Sequence, residues 1–232
     1  MRRRSSPWIS RCAIGLAAAS GVLGLVNHGS VSGTSSAGRL LVPLVTRLDE
    51  SPPDRDEVMR AAHGTYIGRM LLERDSTLAR WPRRVDVPIR VWVEPISIAG
   101  FSDRVRDAFG EWTTIGLPLR FVFVEGARDA DIQVRWTDRL ERKTGNTIWR
   151  VDRRGWMRSG EVLLATHLGD GRPLDSRSLR AIALHEIGHA IGMAHSDDSH
   201  DVMAPLVRVA TLSRGDRATA RLLYTLPAGH LR

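Results

Sequence analysis

Apolar and polar residues alternate along several short segments of the chain, a pattern typical of half-buried β-strands. The clearest example covers residues 88–93, where Ile89 and Val91 flank a polar Arg90. Similar patterns predict four more strands, at residues 119–124, 132–136, 147–151 and 161–166. The second strand of the five ends at Glu125-Gly126, a turn signal.

Helical periodicity appears in three other places. Ser102 is a suitable N-cap for a helix with one apolar face, formed by Val105, Ala108, Phe109, Trp112 and Ile115. A second helix is predicted from about Ser176 and a third from about Ser213. The order is therefore strand, helix, four strands, helix, helix, without an internal repeat, and 232 residues are enough to bury one good core.

The N-terminal part of the chain has a different composition. Residues 1–11 are arginine-rich, residues 12–26 are apolar, and Ser/Gly-rich sequence follows. This pattern is typical of a secretory signal peptide. Fifteen apolar residues are few for a spanning helix, so an uncleaved membrane anchor is the alternative. We therefore assign residues 1–33 to a signal peptide or N-terminal anchor, and residues 34–80 to a linker or possible propeptide-like segment.

The formal net charge of +8 first suggests nucleic-acid binding. However, residues 1–33 contain four arginines and no acidic residue, so the remainder has 30 basic against 26 acidic groups. Those basic residues alternate with acidic ones, as in Asp103-Arg104-Val105-Arg106-Asp107. A mixed, solvated surface explains this better than a nucleic-acid interface, and we expect no nucleic-acid partner.

The segment HEIGHAIGMAH, which begins at His185, has the spacing of a metal site. Residues four apart on a helix lie one turn above each other, so His185 and His189 face the same point. Glu186 can reach a water on the metal without binding the metal itself. Gly192 can adopt the left-handed conformation that ends a helix, so that His195 completes the site from a loop.

Three neutral imidazoles leave a fourth zinc position open, which is the pattern of a catalytic site. A solvated polar helix face is the alternative, and it fits poorly because the residues between the histidines are apolar. Buried histidine and glutamate side chains need partners, and a metal ion supplies them.

The residues that follow suggest a family. HExxHxxGxxH followed by Met203 resembles the metzincin metalloproteases, and Ser196 directly after the third histidine resembles their matrixin branch. The resemblance implies an α+β fold with a mixed five-stranded sheet, three main helices and a zinc cleft. It places the matrixin-like catalytic domain at residues 81–232, and Met203 beneath the three imidazoles.

The resemblance also implies a function. It predicts a secreted or extracytoplasmic zinc-dependent endopeptidase. The expected substrates are proteins or peptides that pair in extended form with residues 147–151. His185, His189 and His195 would bind one catalytic zinc, and Glu186 would act as general base. We expect a monomer, with membrane contact only if the N-terminal segment is uncleaved. The alternative is a catalytically silent, zinc-bound or membrane-anchored peptide-binding module.

The sequence departs from the family pattern in two places. Residues 137–160 contain no histidine, so we do not expect the structural zinc of many matrixins here. The calcium ions of the family are not carried over to this chain either. Cys12 is the only cysteine, so we expect no disulfide and no propeptide cysteine on the zinc. His200 is expected to be a solvated loop residue. Asp216 either caps its helix and supports the site, or is a simple acidic residue at the helix N-terminus.

Overall fold

The computed structural model describes residues 9–13 and 54–231. Its strands, in chain order, are β1 (Ile9–Ala13), β2 (Thr77–Leu78), β3 (Arg84–Val93), β4 (Leu119–Phe123), β5 (Ile132–Thr137), β6 (Gly145–Val151), β7 (Met157–Ala165) and β8 (Gly229–His230). The helices are α1 (Arg55–Ala61), α2 (Ile67–Glu73), α3 (Phe101–Thr113), α4 (Ser176–Ala190) and α5 (Arg214–Thr225).

The five predicted strands form one mixed sheet, in the order β6-β7-β5-β3-β4. The pairs β3–β4, β3–β5 and β5–β7 are parallel, and only β6 runs antiparallel to its neighbour β7. Parallel neighbours need long crossover connections, and α3 supplies the one between β3 and β4. The predicted α+β class and the mixed five-stranded sheet are confirmed.

A sixth strand, which the sequence did not predict, extends this sheet. β1 pairs antiparallel with the outer edge of β6, with Ile9 opposite Arg150 and Ala13 opposite Asn146. Its residues fall within the segment assigned to a signal peptide or anchor. The remainder of that segment, and residues 34–53, lie outside the described residues.

The three predicted helices are present as α3, α4 and α5. The predicted N-cap of α3 is wrong: the helix begins at Phe101 after Gly100, whose φ of +78° suits glycine, and Ser102 lies inside it. The apolar face is as expected, because Val105 and Trp112 are buried. Among the described residues, no helix is both long and apolar enough to cross a membrane.

The two short N-terminal helices pack on the same core as the sheet and the later helices. Their fully buried side chains are Val58, Ile67, Met70 and Leu71. The hydroxyl of Tyr66 donates to Asp216 at the start of α5, and β2 pairs with β8 near the C-terminus. Residues 54–80 therefore contribute apolar surface to the core that contains the candidate site.

Candidate metal centre

Helix α4 places two of the predicted ligands side by side. It begins after Asp175, whose carboxylate accepts a hydrogen bond from the Ser178 amide at 2.7 Å. Its last three turns are buried, which explains the nearly continuous apolar sequence around the motif. His185 and His189 lie one turn apart, with ring centroids separated by 4.6 Å, and both are fully buried.

Gly192 then turns the chain so that the third histidine joins them. Its φ is +105°, and a Cβ at this position would lie 2.2 Å from the carbonyl oxygen of Ala79, so only glycine fits. The predicted positive-φ turn is confirmed. The His195 ring lies 5.4 Å from that of His185 and 4.8 Å from that of His189. One ligand atom from each histidine lies within 4.8 Å of the other two.

The hydrogen bonds of these rings leave their Nε2 atoms available to bind a metal ion. Nδ1 of His185 lies 2.7 Å from the carbonyl oxygen of Val202, and Nδ1 of His189 lies 3.0 Å from that of Met193. A carbonyl can only accept, so both Nδ1 atoms are protonated and both Nε2 atoms keep a lone pair. All three Nε2 atoms are buried without a hydrogen-bond partner among the described residues. Such a set of neutral nitrogen donors fits zinc.

Burial also keeps the rings neutral. Loss of solvation lowers the pKa of His185 to about 3, although the hydrogen bond with the Val202 carbonyl acts in the opposite direction. The pKa of His189 and that of His195 are lowered for the same main reason. The neutral imidazole is the form that binds metal ions.

Glu186 is fully buried next to this group and is not part of it. Its Oε2 accepts a hydrogen bond from the Thr147 hydroxyl at 2.5 Å, whereas its Oε1 has no partner among the described residues. Burial raises the pKa of the carboxyl to about 8, although the bond from Thr147 and the charge of Lys143 act in the opposite direction. The carboxyl thus has one oxygen held by protein and one oxygen available.

Met203 packs directly against α4. Gly188 lies between His185 and His189 in the sequence, and a Cβ on it would lie 2.3 Å from the Met203 sulfur. This glycine therefore makes room for the methionine side chain. The segment is also tied to the loop that carries His195, because the amide of the neighbouring Ser196 donates to the Met203 carbonyl at 2.9 Å. The position of Met203 in the core agrees with the resemblance.

Two buried carboxylates hold this segment in place. Asp216 accepts from the amides of Val202 at 2.9 Å and Ser213 at 2.8 Å, and burial raises its pKa. It also forms a capping box with Ser213 at the start of α5, so its two predicted roles are both present. Asp201, which the sequence analysis missed, accepts from the hydroxyls of Ser196 and Ser213.

Residues before the predicted catalytic domain contact the site as well. The Arg74 guanidinium donates to the carbonyls of Gly192 at 2.8 Å and Met193 at 3.0 Å. It also lies 5.4 Å from the ring centre of Trp149 on β6. No local sequence signal indicated these contacts, because 118 positions separate Arg74 from Gly192.

Two further histidines, His200 and His167, lie apart from the group. The side chain of His200 is 88% exposed and contacts Asp198, as expected for a solvated loop residue. Nδ1 of His167 lies 2.8 Å from Asp138. Neither belongs to the cluster formed by His185, His189 and His195.

The sequence of the chain is also similar to those of known proteins. A family model described as Matrixin matches residues 88–225. The chain is 25% identical to matrix metalloproteinase-C of Caenorhabditis elegans over 168 residues, which is 66% of this chain and 28% of that protein. It is 30% identical to human matrix metalloproteinase-19 over 136 residues, 56% of this chain and 26% of the relative. The matched region therefore spans about a quarter of each relative's length.

Proposed function

The chain belongs to the matrixin family, a family of zinc metalloendopeptidases, and from this premise we propose that it is an extracytoplasmic zinc-dependent endopeptidase that cleaves extended polypeptides. The observation that supports this most strongly is the group of three buried histidine Nε2 atoms, which have no hydrogen-bond partner in the described part of the chain, beside a buried glutamate. Together they offer a metal site and a proton acceptor.

His185, His189 and His195 are the proposed zinc ligands. The fit rests on their neutral rings, their converging Nε2 atoms and the backbone carbonyls that orient two of them. A zinc ion bound there supplies Lewis acidity, which acidifies a water molecule and polarises the scissile carbonyl. The protein contributes the orientation of the rings and a site shielded from bulk solvent.

Glu186 is the proposed general base. Its Oε1, which has no hydrogen-bond partner among the described residues, is the oxygen that accepts the proton of the attacking water. The same carboxyl then delivers that proton to the leaving amine, which returns the enzyme to its starting state. Because Glu186 lies outside the ligand group, it remains free for proton transfer while the three histidines hold the metal.

The substrate is proposed to bind along the outer edge of β6. Cleavage of residues 1–33 as a signal peptide would remove β1 and leave β6 as an edge strand, whose unpaired amide and carbonyl groups an extended peptide can satisfy by antiparallel pairing. The pairing of β1 with residues 146–150 supports this, because it is an example of an extended segment on that edge. The same strand contacts Glu186 through Thr147, so a peptide bound there lies close to the proposed base.

The organisation of the whole chain follows as part of the proposal. Residues 1–33 are a signal peptide or N-terminal anchor, which makes the enzyme secreted or membrane-anchored, and the catalytic domain extends to residue 232. Its predicted start at residue 81 leaves 34–80 as a linker or propeptide-like segment. The buried side chains of α1 and α2 favour an earlier start, near residue 54. We propose a monomer with protein or peptide substrates.

Incubation of the purified chain with a peptide library tests the proposed function. We expect cleavage products by mass spectrometry, loss of cleavage with a zinc chelator, and recovery when zinc is added back. If the zinc-loaded protein binds peptides and leaves them intact, the silent binding module is the correct alternative. If cleavage is unaffected by the chelator, the proposed metal dependence is wrong.

A further inference from the structure

We propose that β6, besides binding substrate at its edge, positions the general base: Thr147 holds one carboxylate oxygen of Glu186 and Gly145 provides the space for the other. This inference rests on the proposed function. It assigns a positioning role to two residues that lie about 40 positions before the motif and that the sequence did not indicate.

The Thr147 hydroxyl is the only described protein donor to the Glu186 carboxylate. It is completely buried, 2.5 Å from Oε2 and 3.0 Å from the Glu186 backbone oxygen. A hydroxyl has a single proton, and the shorter distance and the carboxylate charge favour Oε2 as the acceptor. Since Oε2 is held in this way, Oε1 is the oxygen left for the water.

The side chain of Thr147 is itself well fixed. It is β-branched and lies within a strand, where its χ1 has few alternatives. Glu186, in contrast, has three rotatable side-chain bonds, and its carboxylate would be free to adopt other rotamers without this contact. The strand thus restrains the more flexible of the two partners.

Gly145, two residues earlier, lies against the same carboxylate. A Cβ at this position would lie 2.3 Å from Oε1, 2.6 Å from Cγ and 2.7 Å from Cδ of Glu186. The φ of Gly145 is not positive, so this position requires glycine for lack of space and not for its backbone conformation. Any side chain here would move the carboxylate from its present position.

The two contacts give β6 a double role. Gly145 and Thr147 lie two positions apart, so they are on the same face of the strand, towards α4. The edge of the same strand pairs with an extended segment over residues 146–150. One rigid element therefore determines where the substrate backbone lies and where the base lies, which preserves their relative distance.

The substitutions Thr147→Val and Thr147→Ser test the hydroxyl. Valine keeps the shape and removes the donor, whereas serine keeps the donor. We expect Thr147→Val to lower kcat by at least about tenfold, because the base loses the hydrogen bond that orients its carboxylate. KM should stay within about twofold, zinc content should stay at one per chain, and Thr147→Ser should keep most of the activity. Equal loss in both variants, loss of zinc, or unchanged kcat in Thr147→Val would overturn the proposal.

Crystal structures of the wild type and these variants separate this inference from the proposed function. We expect the Glu186 carboxylate to move in Thr147→Val and in Gly145→Ala, and to stay in place in Thr147→Ser. Failure of the wild type to cleave any peptide would refute the proposed function, while these structures would still test the positioning. An unmoved carboxylate in Thr147→Val would refute the positioning even if the wild type is an active protease.

Discussion

At the scale of single residues, the site consists of ionisable side chains that are kept from water and given specific partners. His185 and His189 each contact one backbone carbonyl, and Glu186 contacts one hydroxyl. Burial costs a charged group far more than a neutral one, so the rings stay neutral and the unpartnered atoms remain available. The proposed activity depends on those few available atoms.

Replacement of the proposed base separates metal binding from chemistry. Glu186→Gln should keep one zinc per chain and lower kcat by roughly 10²–10⁴-fold, the usual contribution of general acid–base catalysis. Glu161→Gln is a suitable control, because that side chain on β7 is half exposed. Peptide cleavage and metal content are measured on the same samples. Cleavage by Glu186→Gln at the wild-type rate would remove Glu186 from the mechanism.

Replacement of a proposed ligand should instead remove the metal. His189→Ala deletes one of three nitrogen donors, so we expect zinc content to fall well below one per chain. His200→Ala is the matched control, because His200 is exposed and outside the group, and it should retain zinc. Elemental analysis after dialysis measures both. Full zinc content in His189→Ala would show that this ring is not a ligand.

Residue spacing was sufficient to predict that the three histidines converge, since helix geometry and a glycine turn are local properties. Thr147 and Arg74 were not predictable in the same way. Thr147 reaches Glu186 across 39 positions and Arg74 reaches Gly192 across 118, and both pairs meet only when the whole domain is folded. Nothing near either residue distinguishes it from an ordinary strand threonine or surface arginine.

At the scale of secondary-structure elements, α4, β6 and the segment between α4 and α5 have to keep their mutual positions. Asp216 connects α5 to the segment around Met203, because its carboxylate accepts from the amides of Val202 and Ser213 as well as from Tyr66. The position of Met203 therefore depends on the start of α5. The loop that carries His195 depends on it as well, because the neighbouring Ser196 is hydrogen-bonded to Met203.

Asp216→Ala should destabilise the protein through this connection. The substitution removes the acceptor of the buried Val202 amide, at about 1–3 kcal/mol for an unsatisfied buried group, and that of the partly buried Ser213 amide. Asp170→Ala, on an exposed side chain paired with Arg172, should change stability much less, because exposed ion pairs contribute little. Urea denaturation of both variants measures the difference. Equal midpoints would contradict the role given to Asp216.

The elements themselves were well predicted where their pattern was regular. Alternation identified the five strands of the mixed sheet, and apolar periodicity identified α3, α4 and α5. The predicted start of α3 was wrong. Ser102 has the side chain of a good N-cap, but the helix already begins after Gly100, whose positive φ ends the preceding turn. β1 was not predicted, because an apolar segment after several arginines also has the composition of a signal peptide.

At the scale of the whole molecule, the N-terminal helices and the site belong to one packed structure. α1 and α2 bury Val58, Ile67, Met70 and Leu71 in the common core, and Arg74 directly follows α2. Such long-range packing is invisible in the local pattern of residues 54–80, which explains why a linker was expected there.

A comparison of two truncated chains tests the predicted domain boundary. Residues 81–232 lack the four buried side chains of α1 and α2, each worth about 1.5–3 kcal/mol when buried. We expect this chain to be less stable than residues 54–232 by more than about 3 kcal/mol, or to be insoluble. Equal denaturation midpoints would instead support a catalytic domain that starts at residue 81.

The central claim is that His185, His189 and His195 together hold one zinc ion. X-ray absorption spectroscopy at the zinc edge measures the ligands of the metal in the purified protein. The account predicts one zinc per chain, three imidazole nitrogens at about 2.0–2.1 Å and one further light-atom ligand. A protein that retains no stoichiometric zinc, or a zinc with fewer than three imidazole ligands, would contradict it.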